Sequence, residues 1–223
     1  MLDWSPIILT LQLALITTVI LLVISIPLAY WMANTKSRIK PIIEAIVSLP
    51  LVLPPTVLGF YLLIAFSPES AIGSFLNDVF GLKLAFSFSG LVIGSIIYSL
   101  PFMVQPLQAG FASLPSSLSE ASFVLGKSKY QTITKVLIPN IKKSILTGIV
   151  LTFAHTVGEF GVVLMIGGNI PNQTKVVSIA IYDEVESLNY STAHVYSGIL
   201  LAVTFVILLL VYINNNRSNK FSR

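Results

Sequence analysis

Five long apolar stretches constrain this chain of 223 residues more than any other feature of its sequence. Each stretch could cross a hydrocarbon core of about 30 Å, which takes about 20 residues at the helical rise. Helices are favoured over barrel strands, because the strands of a barrel alternate apolar and polar residues. Only 10% of the residues are charged, so the sequence predicts an all-α, polytopic membrane protein. The predicted spans are residues 7–32, 42–66, 86–111, 144–166 and 195–213.

Basic residues predict the orientation of these spans, because Lys and Arg near span ends resist translocation. Under an alternating topology, 11 of the 13 Lys and Arg residues fall on one side, and only Lys83 and Lys175 fall on the other. This asymmetry predicts an N-terminus outside the cell and a C-terminus in the cytoplasm. The net charge of +4 then reflects topology. We therefore expect the lipid bilayer as a partner and no nucleic acid.

The segments between the spans are too short for a soluble domain, so residues 1–223 are predicted to form a single membrane domain. About five spans are expected. Whether residues 67–88 or 175–190 contain a further helix stays open. Such a helix would be a sixth span if it crossed the membrane. The chain has no Cys, which excludes disulfides and thiolate metal sites. No metal, cofactor or catalytic residue is predicted.

Prolines interrupt two of the predicted spans. Span 2 contains Pro50, Pro54 and Pro55, and span 3 contains Pro101 and Pro106. Proline removes a backbone donor and clashes with the preceding turn, so kinked helices are expected. Irregular backbone at membrane depth requires cover by protein or by a water-filled cavity. The kinks indicate either helices that line a pathway or the ordinary frequency of proline in membrane helices.

Residues 112–143 form one polar segment in this apolar chain. Ser117 and Glu120 fit a capping box at the start of a helix, and Gly126 suits the left-handed conformation that ends helices. Ser128 and Gln131 fit a second capping box. The segment is therefore predicted to form two short helices that bend at Gly126.

The first of these helices has an apolar stripe formed by Leu118, Ala121, Val124 and Leu125. A helix this short is marginal alone in water, so the stripe must pack against something. Two alternatives stay open: a groove on a partner protein, or the lipid surface, where the nearby lysines would meet anionic headgroups.

The same segment contains Glu120-Ala121-Ser122, then Gly126 six positions after Glu120, and then Val136, Ile138 and Pro139. This pattern resembles the EAA motif of ABC-importer permeases. In that family the motif forms the cytoplasmic coupling helix, which lies in a cleft of the ATP-binding subunit. The resemblance implies a type I ABC importer permease fold and a separate ATPase that uses ATP and Mg²⁺. The implied coupling residues are Glu120, Ala121, Ser122, Gly126, Val136, Ile138 and Pro139.

Other functions fit the sequence less well. Gly126-Lys127-Ser128 matches the end of a P-loop, but the first glycine of that motif would fall at Ala121. The HExxH and GxSxG patterns of zinc proteases and serine hydrolases are absent, so an enzyme is not favoured. A secondary transporter is disfavoured by the small number of spans and the lack of internal repeats.

Three further stretches resemble molybdate-type permeases: LPLVLPPTVLGFY from Leu49, GEFG from Gly158 and GGNIPNQT from Gly167. Sulfate-type permeases share GEFG and a similar turn, and tungstate is not separated from molybdate. The resemblance implies molybdate import across the prokaryotic cytoplasmic membrane. The implied assembly is a homodimer of this permease, two ATP-binding-cassette subunits and an extracytoplasmic oxyanion-binding protein.

Glu159 lies within the fourth predicted span, with His155 four residues before it, so both are predicted to share one helical face. They would either line the pathway and support its gate, or form an interhelical hydrogen-bonded pair that fixes the span. The turn after this span is expected to shape the outer mouth. The complete set of predicted pathway and gate residues is His155, Glu159, Pro54, Pro55, Asn169 and Pro171.

Overall fold

The computed structural model describes the backbone of residues 2–220, and the side chains in that range except those of residue 210 and residues 214–220. Over this range the regular structure is entirely helical. The helices are α1 (Ser5–Asn34), α2 (Lys40–Val52), α3 (Pro55–Phe66), α4 (Ala71–Phe80), α5 (Phe88–Ala112), α6 (Ser116–Val124), α7 (Lys129–Thr132), a π-helical turn (Ile133–Leu137), α8 (Ile138–Asn140), α9 (Lys142–Val157), α10 (Gly161–Gly167), α11 (Val177–Glu186) and α12 (Tyr190–Lys220).

Three single helices, α1, α5 and α12, are long and apolar enough to cross a membrane. Two bent helix pairs also qualify if each counts as one span: α2 with α3, and Lys129–Asn140 with α9. They raise the number of candidate spans in the described part of the chain to five. The possible extra helices in residues 67–88 and 175–190 are α4 and α11. Each has 10 residues, or about 15 Å of helix, so neither adds a sixth span.

The second predicted span is broken rather than kinked: α2 and α3 meet at 113°. Leu53 and Pro54 each precede a proline, and both have extended backbone, with ψ of 134° and 136°. A residue before proline is sterically disfavoured from the helical conformation, which accounts for the break. Pro50 stays inside α2. The prolines of the third span, Pro101 and Pro106, likewise remain inside one helix, α5.

The fourth predicted span is also interrupted, and this corrects the expected relation between His155 and Glu159. Helix α9 ends at Val157 and α10 starts at Gly161, so Glu159 lies in the break and the two residues do not share a helical face. An ideal Cβ on Gly161 would approach the Pro55 Cβ to 2.7 Å. The glycine therefore allows the break after α9 to pack directly against the break before α3.

The polar segment folds as two helical pieces joined at Gly126, whose φ is +72°. The second predicted capping box is confirmed, because the Ser128 side chain accepts from the Gln131 amide and Gln131 bonds back to Ser128. The first is wrong. Helix α6 begins at Ser116 and its N-cap is Pro115, two residues before the predicted N-cap Ser117, and Pro115 makes no side-chain cap. Pro115 has φ −68° and ψ 142°, so the fixed proline ring sets the helix start in place of a serine hydroxyl.

Helix α5 packs between α1 and α9 in the centre of the bundle. One buried cluster surrounds the start of α5 and includes Leu91, Val162 and Ile166. A second surrounds its end and includes Leu107 and Leu137. The polar segment is thus rooted in the core at the end of α5, which we call the polar end, while α10 packs near the start of α5 at the opposite end.

Candidate functional site

A cleft of about 560 Å³ lies where the breaks in the second and fourth spans meet. Its floor is the loop between α9 and α10, and Pro55 and Thr56 at the start of α3 form one wall. The full lining is Pro55, Thr56, Tyr98, Ala154, His155, Gly158, Glu159, Phe160, Gly161, Leu164 and Met165. Three of the predicted pathway residues, Pro55, His155 and Glu159, therefore line one cavity.

Glu159 is buried beside this cleft, with only 3% of its surface exposed, and two other helices donate hydrogen bonds to it. The Ser95 hydroxyl of α5 donates to Glu159 Oε2 at 2.7 Å, and the Ser178 hydroxyl of α11 donates to its backbone carbonyl at 2.6 Å. Glu159 thus connects the break to two helices, and its Oε1 atom is buried without a hydrogen-bond partner among the described residues.

His155 is anchored to α5 one turn further along. Its Nδ1 lies 2.9 Å from the Ser99 hydroxyl. The ring stacks on Phe102, with centroids 4.0 Å apart and planes at 26°, and it packs against Tyr98 at 4.7 Å. His155 and Glu159 therefore bind neighbouring serines of α5 and not each other. Both residues line the same cavity, and each is joined to α5 by a separate hydrogen bond.

The remaining predicted pathway residues lie away from the cleft. Pro54 caps α3 but is absent from the cavity wall. Asn169 has φ +57°, and its Nδ2 donates to both carboxylate oxygens of Asp183 at 3.0 and 2.9 Å. Lys175 pairs with the same carboxylate at 2.6 Å. Pro171 is exposed on this turn. The turn is thus tied to α11 at the opposite end of the bundle.

The structure divides the predicted coupling residues into exposed and buried groups. Glu120, Ala121 and Gly126 are exposed at the end of α6, and Pro139 is exposed further along. In contrast, Ser122 is buried and its hydroxyl lies 2.9 Å from that of Thr132. This contact braces α6 against α7. Two others, Val136 and Ile138, pack against the core at the polar end.

The sequence reasoning did not single out Phe123, which is 50% exposed, beside Val124 at 87% and Leu125 at 76%. These three residues form an exposed apolar tip. The tip is followed by a Schellman motif, in which the Lys127 amide donates to the Ser122 carbonyl and the Gly126 amide to the Phe123 carbonyl. The run of three apolar residues before a helix-ending glycine was the available signal.

The serine partners of Glu159 and His155 were not predicted from the sequence. Ser95 lies 64 residues before Glu159, so no local pattern connects them. The arrangement can orient and hold a helix break. No group of three or more His, Asp or Glu side chains suited to a metal occurs in the part of the chain that the structure describes.

Comparison with known proteins places these features in a family. The family described as "Binding-protein-dependent transport system inner membrane component" matches residues 25–219. The Molybdenum transport system permease protein ModB of Azotobacter vinelandii is 48% identical over 211 residues, covering 94% of this chain and 93% of that protein. The Sulfate transport system permease protein CysT of Synechocystis sp. is 35% identical over 172 residues, covering 77% of this chain and 60% of that protein.

A solved structure supports the fold. A chain in the crystal structure of a bacterial ABC transporter involved in the import of the acidic polysaccharide alginate superposes with a TM-score of 0.79. That match covers 96% of this chain and 78% of the other, at 20% identity.

The fold is that of an all-helical membrane protein with three to five candidate spans, and chains of ABC importers share this fold. The chain belongs to the family of binding-protein-dependent transport system inner membrane components. This confirms the resemblance drawn from the EAA-like motif. In such importers the ATPase is a separate subunit, so the chain itself is not an enzyme.

Proposed function

We propose that this chain is the membrane-spanning permease subunit of an ATP-driven importer that carries molybdate across the cytoplasmic membrane. The ModB relative, 48% identical over nearly the full length of both chains, carries this proposal. The substrate is a tetrahedral oxyanion, and the chain contributes a path for it. The partner ATPase subunit, and not this chain, uses ATP and Mg²⁺.

The exposed tip of α6 is the proposed contact with that ATPase. Val124 and Leu125 are mostly exposed. Covering them with a partner would remove a large apolar area from water, which favours binding. The tip is fixed before binding by the Schellman motif and by the Ser122–Thr132 contact. A fixed tip transmits a displacement to the helices behind it, because little motion is absorbed locally.

The displacement has a short structural route to the cleft. Leu137 and Ile141, just beyond the braced helices, belong to the buried cluster at the polar end. Helix α9 follows at a bend of 74° and ends at the break that contains Glu159. Closure of two ATPase subunits would pull the tips together and move α9 relative to α5. The Ser95–Glu159 and Ser99–His155 contacts join α5 to α9 and the break that follows it, so this movement would change them.

Assembly completes the path in this proposal. The cleft opens on one side of a single copy, so two copies related by a two-fold axis would enclose the route. Two ATP-binding-cassette subunits would dock at the two tips in the cytoplasm, and an oxyanion-binding protein would meet the opposite end. The turn of Asn169 and Pro171, fixed to α11 by Asp183, lies at that end. The charge asymmetry supports an N-terminus outside the cell.

Sulfate is the second candidate substrate, because the CysT relative is 35% identical over 172 residues. Tungstate has the same geometry and charge as molybdate. In this type of importer, selection among such anions falls chiefly to the binding protein.

Uptake competition tests the substrate. Cells that express this chain with its ATPase and binding protein should accumulate labelled molybdate, and a tenfold excess of unlabelled sulfate should leave that uptake nearly unchanged. Tungstate is included as the isosteric competitor. Loss of molybdate uptake in the presence of excess sulfate, with labelled sulfate accumulating instead, would replace molybdate by sulfate.

A further inference from the structure

A groove of about 600 Å³ lies between the last turns of α1 and the helices that follow Gly126. It shares no lining residue with the cleft at Glu159. Its wall is apolar and aromatic, and its rim is polar. The lining side chains that matter here are Ile26, Tyr30 and Trp31 of α1, with Lys129, Ile133 and Ile138 of the polar segment.

The position of this groove along α1 matches the boundary of a bilayer. The two tryptophans of the chain, Trp4 and Trp31, lie at opposite ends of α1 and are both exposed. Their separation of 27 residues corresponds to about 40 Å of helix, close to the distance between the two headgroup regions of a bilayer. Tryptophan is enriched at both boundaries. The groove therefore opens at the level of the lipid headgroups.

Lys129 supplies a cation at the rim of the groove. Its Nζ lies 6.0 Å from the centroid of the Tyr30 ring, within the range of a cation–π contact. The capping box of Ser128 and Gln131 fixes the backbone at this position. No carboxylate pairs with Lys129 among the described residues. The ammonium is thus held beside the groove without a neutralising partner.

The two chain segments that form the groove carry charge of one sign. Residues 26–38 and 127–138 contain no Asp or Glu. Their basic residues are Lys36, Arg38, Lys127, Lys129 and Lys135. A cluster of this kind next to a membrane span attracts anionic lipid headgroups.

We propose that this groove binds one anionic phospholipid. An acyl chain would lie along Ile26, Ile133 and Ile138, and the phosphate would meet Lys129. One wall of the groove belongs to α1 and the other to the polar segment. A bound lipid would therefore brace the segment that carries the exposed tip. The proposal does not depend on which anion is transported or on the direction of the spans.

Fluorescence quenching by brominated lipids tests this site, because one tryptophan lines the groove and the other does not. The full-length chain with Trp4→Phe keeps Trp31 as its sole tryptophan and is titrated in detergent with brominated phosphatidylglycerol or brominated phosphatidylcholine. Half-quenching should need several-fold less of the anionic lipid. Lys129→Gln should reduce this preference about fivefold, as expected for one lysine near an anionic surface.

The matched control is Trp31→Phe, which leaves Trp4 as the reporter and should show little preference between the two lipids. Lys83→Gln, an exposed lysine outside the groove, should leave the Trp31 preference unchanged. Equal quenching of Trp31 by both lipids would overturn the proposal, as would a preference that survives Lys129→Gln. Reversal by millimolar inorganic phosphate would indicate a small-anion site instead. Complete protection of Trp31 by added ATPase subunit would indicate a protein-covered surface.

Discussion

At the scale of single residues, the hydrogen bond between Ser95 and Glu159 has the clearest consequence. It joins α5 to the break after α9, and it is the only hydrogen bond of the Glu159 carboxylate among the described residues. A buried polar group that loses its partner carries the full cost of its desolvation. The bond should therefore stabilise the permease and also set the geometry of the cleft.

Ser95→Ala should lower the free energy of unfolding by about 1–3 kcal/mol, because Glu159 Oε2 would be left without a donor. Thermal unfolding of the purified permease in detergent measures this loss, and uptake should fall with it. Ser113→Ala is the matched control, since that hydroxyl bonds only to the Gly110 carbonyl nearby. An equally large effect of both substitutions would contradict the role given to Ser95.

At the scale of elements, α6 and the two helix breaks have different roles in the proposed function. The tip of α6 presents apolar surface outward and is held by its own hydrogen bonds. The breaks at Pro54 and at Gly158–Phe160 bring irregular backbone together beside the cleft. The first element can be changed with little effect on folding, whereas the second depends on close packing.

The double variant Val124→Asp with Leu125→Asp should weaken binding of the ATPase by roughly tenfold or more, because two apolar contacts are replaced by charges. Folding should be unaffected, since both side chains are exposed. Co-purification of the ATPase with the permease measures the loss. Leu188→Asp, on a residue 72% exposed at the opposite end, is the control. Retention of the ATPase by the double variant would contradict docking at this tip.

Gly161→Ala should impair uptake while the ATPase stays bound. The new Cβ would approach the Pro55 Cβ to 2.7 Å, and overpacking of this kind costs about 1–3 kcal/mol. Gly158→Ala offers a close control, because its added Cβ would meet nothing nearer than 3.7 Å. Uptake by reconstituted complexes distinguishes the two. Equal uptake by both variants would show that the contact between the breaks is not needed.

At the scale of the whole molecule, the sequence predicts what is local and repetitive. Apolar runs gave the long helices, and the Ser128 capping box was found because its two partners are three residues apart. The break at Glu159 was missed because the residues on either side of it are equally apolar. Pairing of Ser95 with Glu159 has no local signal, since 64 residues separate them. The Ser117 box failed because Pro115 sets the helix start.

The predicted orientation of the whole chain can be tested with single cysteines, because the chain has none of its own. A membrane-impermeant maleimide should label Lys83→Cys in intact cells. Arg38→Cys should react only after the membrane is opened, and both positions are exposed in the structure. The reverse pattern would place the N-terminus in the cytoplasm and contradict the charge asymmetry.

The central claim is that a docked ATPase drives oxyanion import through this permease, and uptake by purified components tests it most directly. Vesicles that contain the permease and its ATPase, supplied with binding protein outside and ATP inside, should accumulate labelled molybdate. Vesicles that contain the permease alone should not, under either a proton or a sodium gradient. Uptake by the permease alone, driven by such a gradient without ATP, would contradict the account.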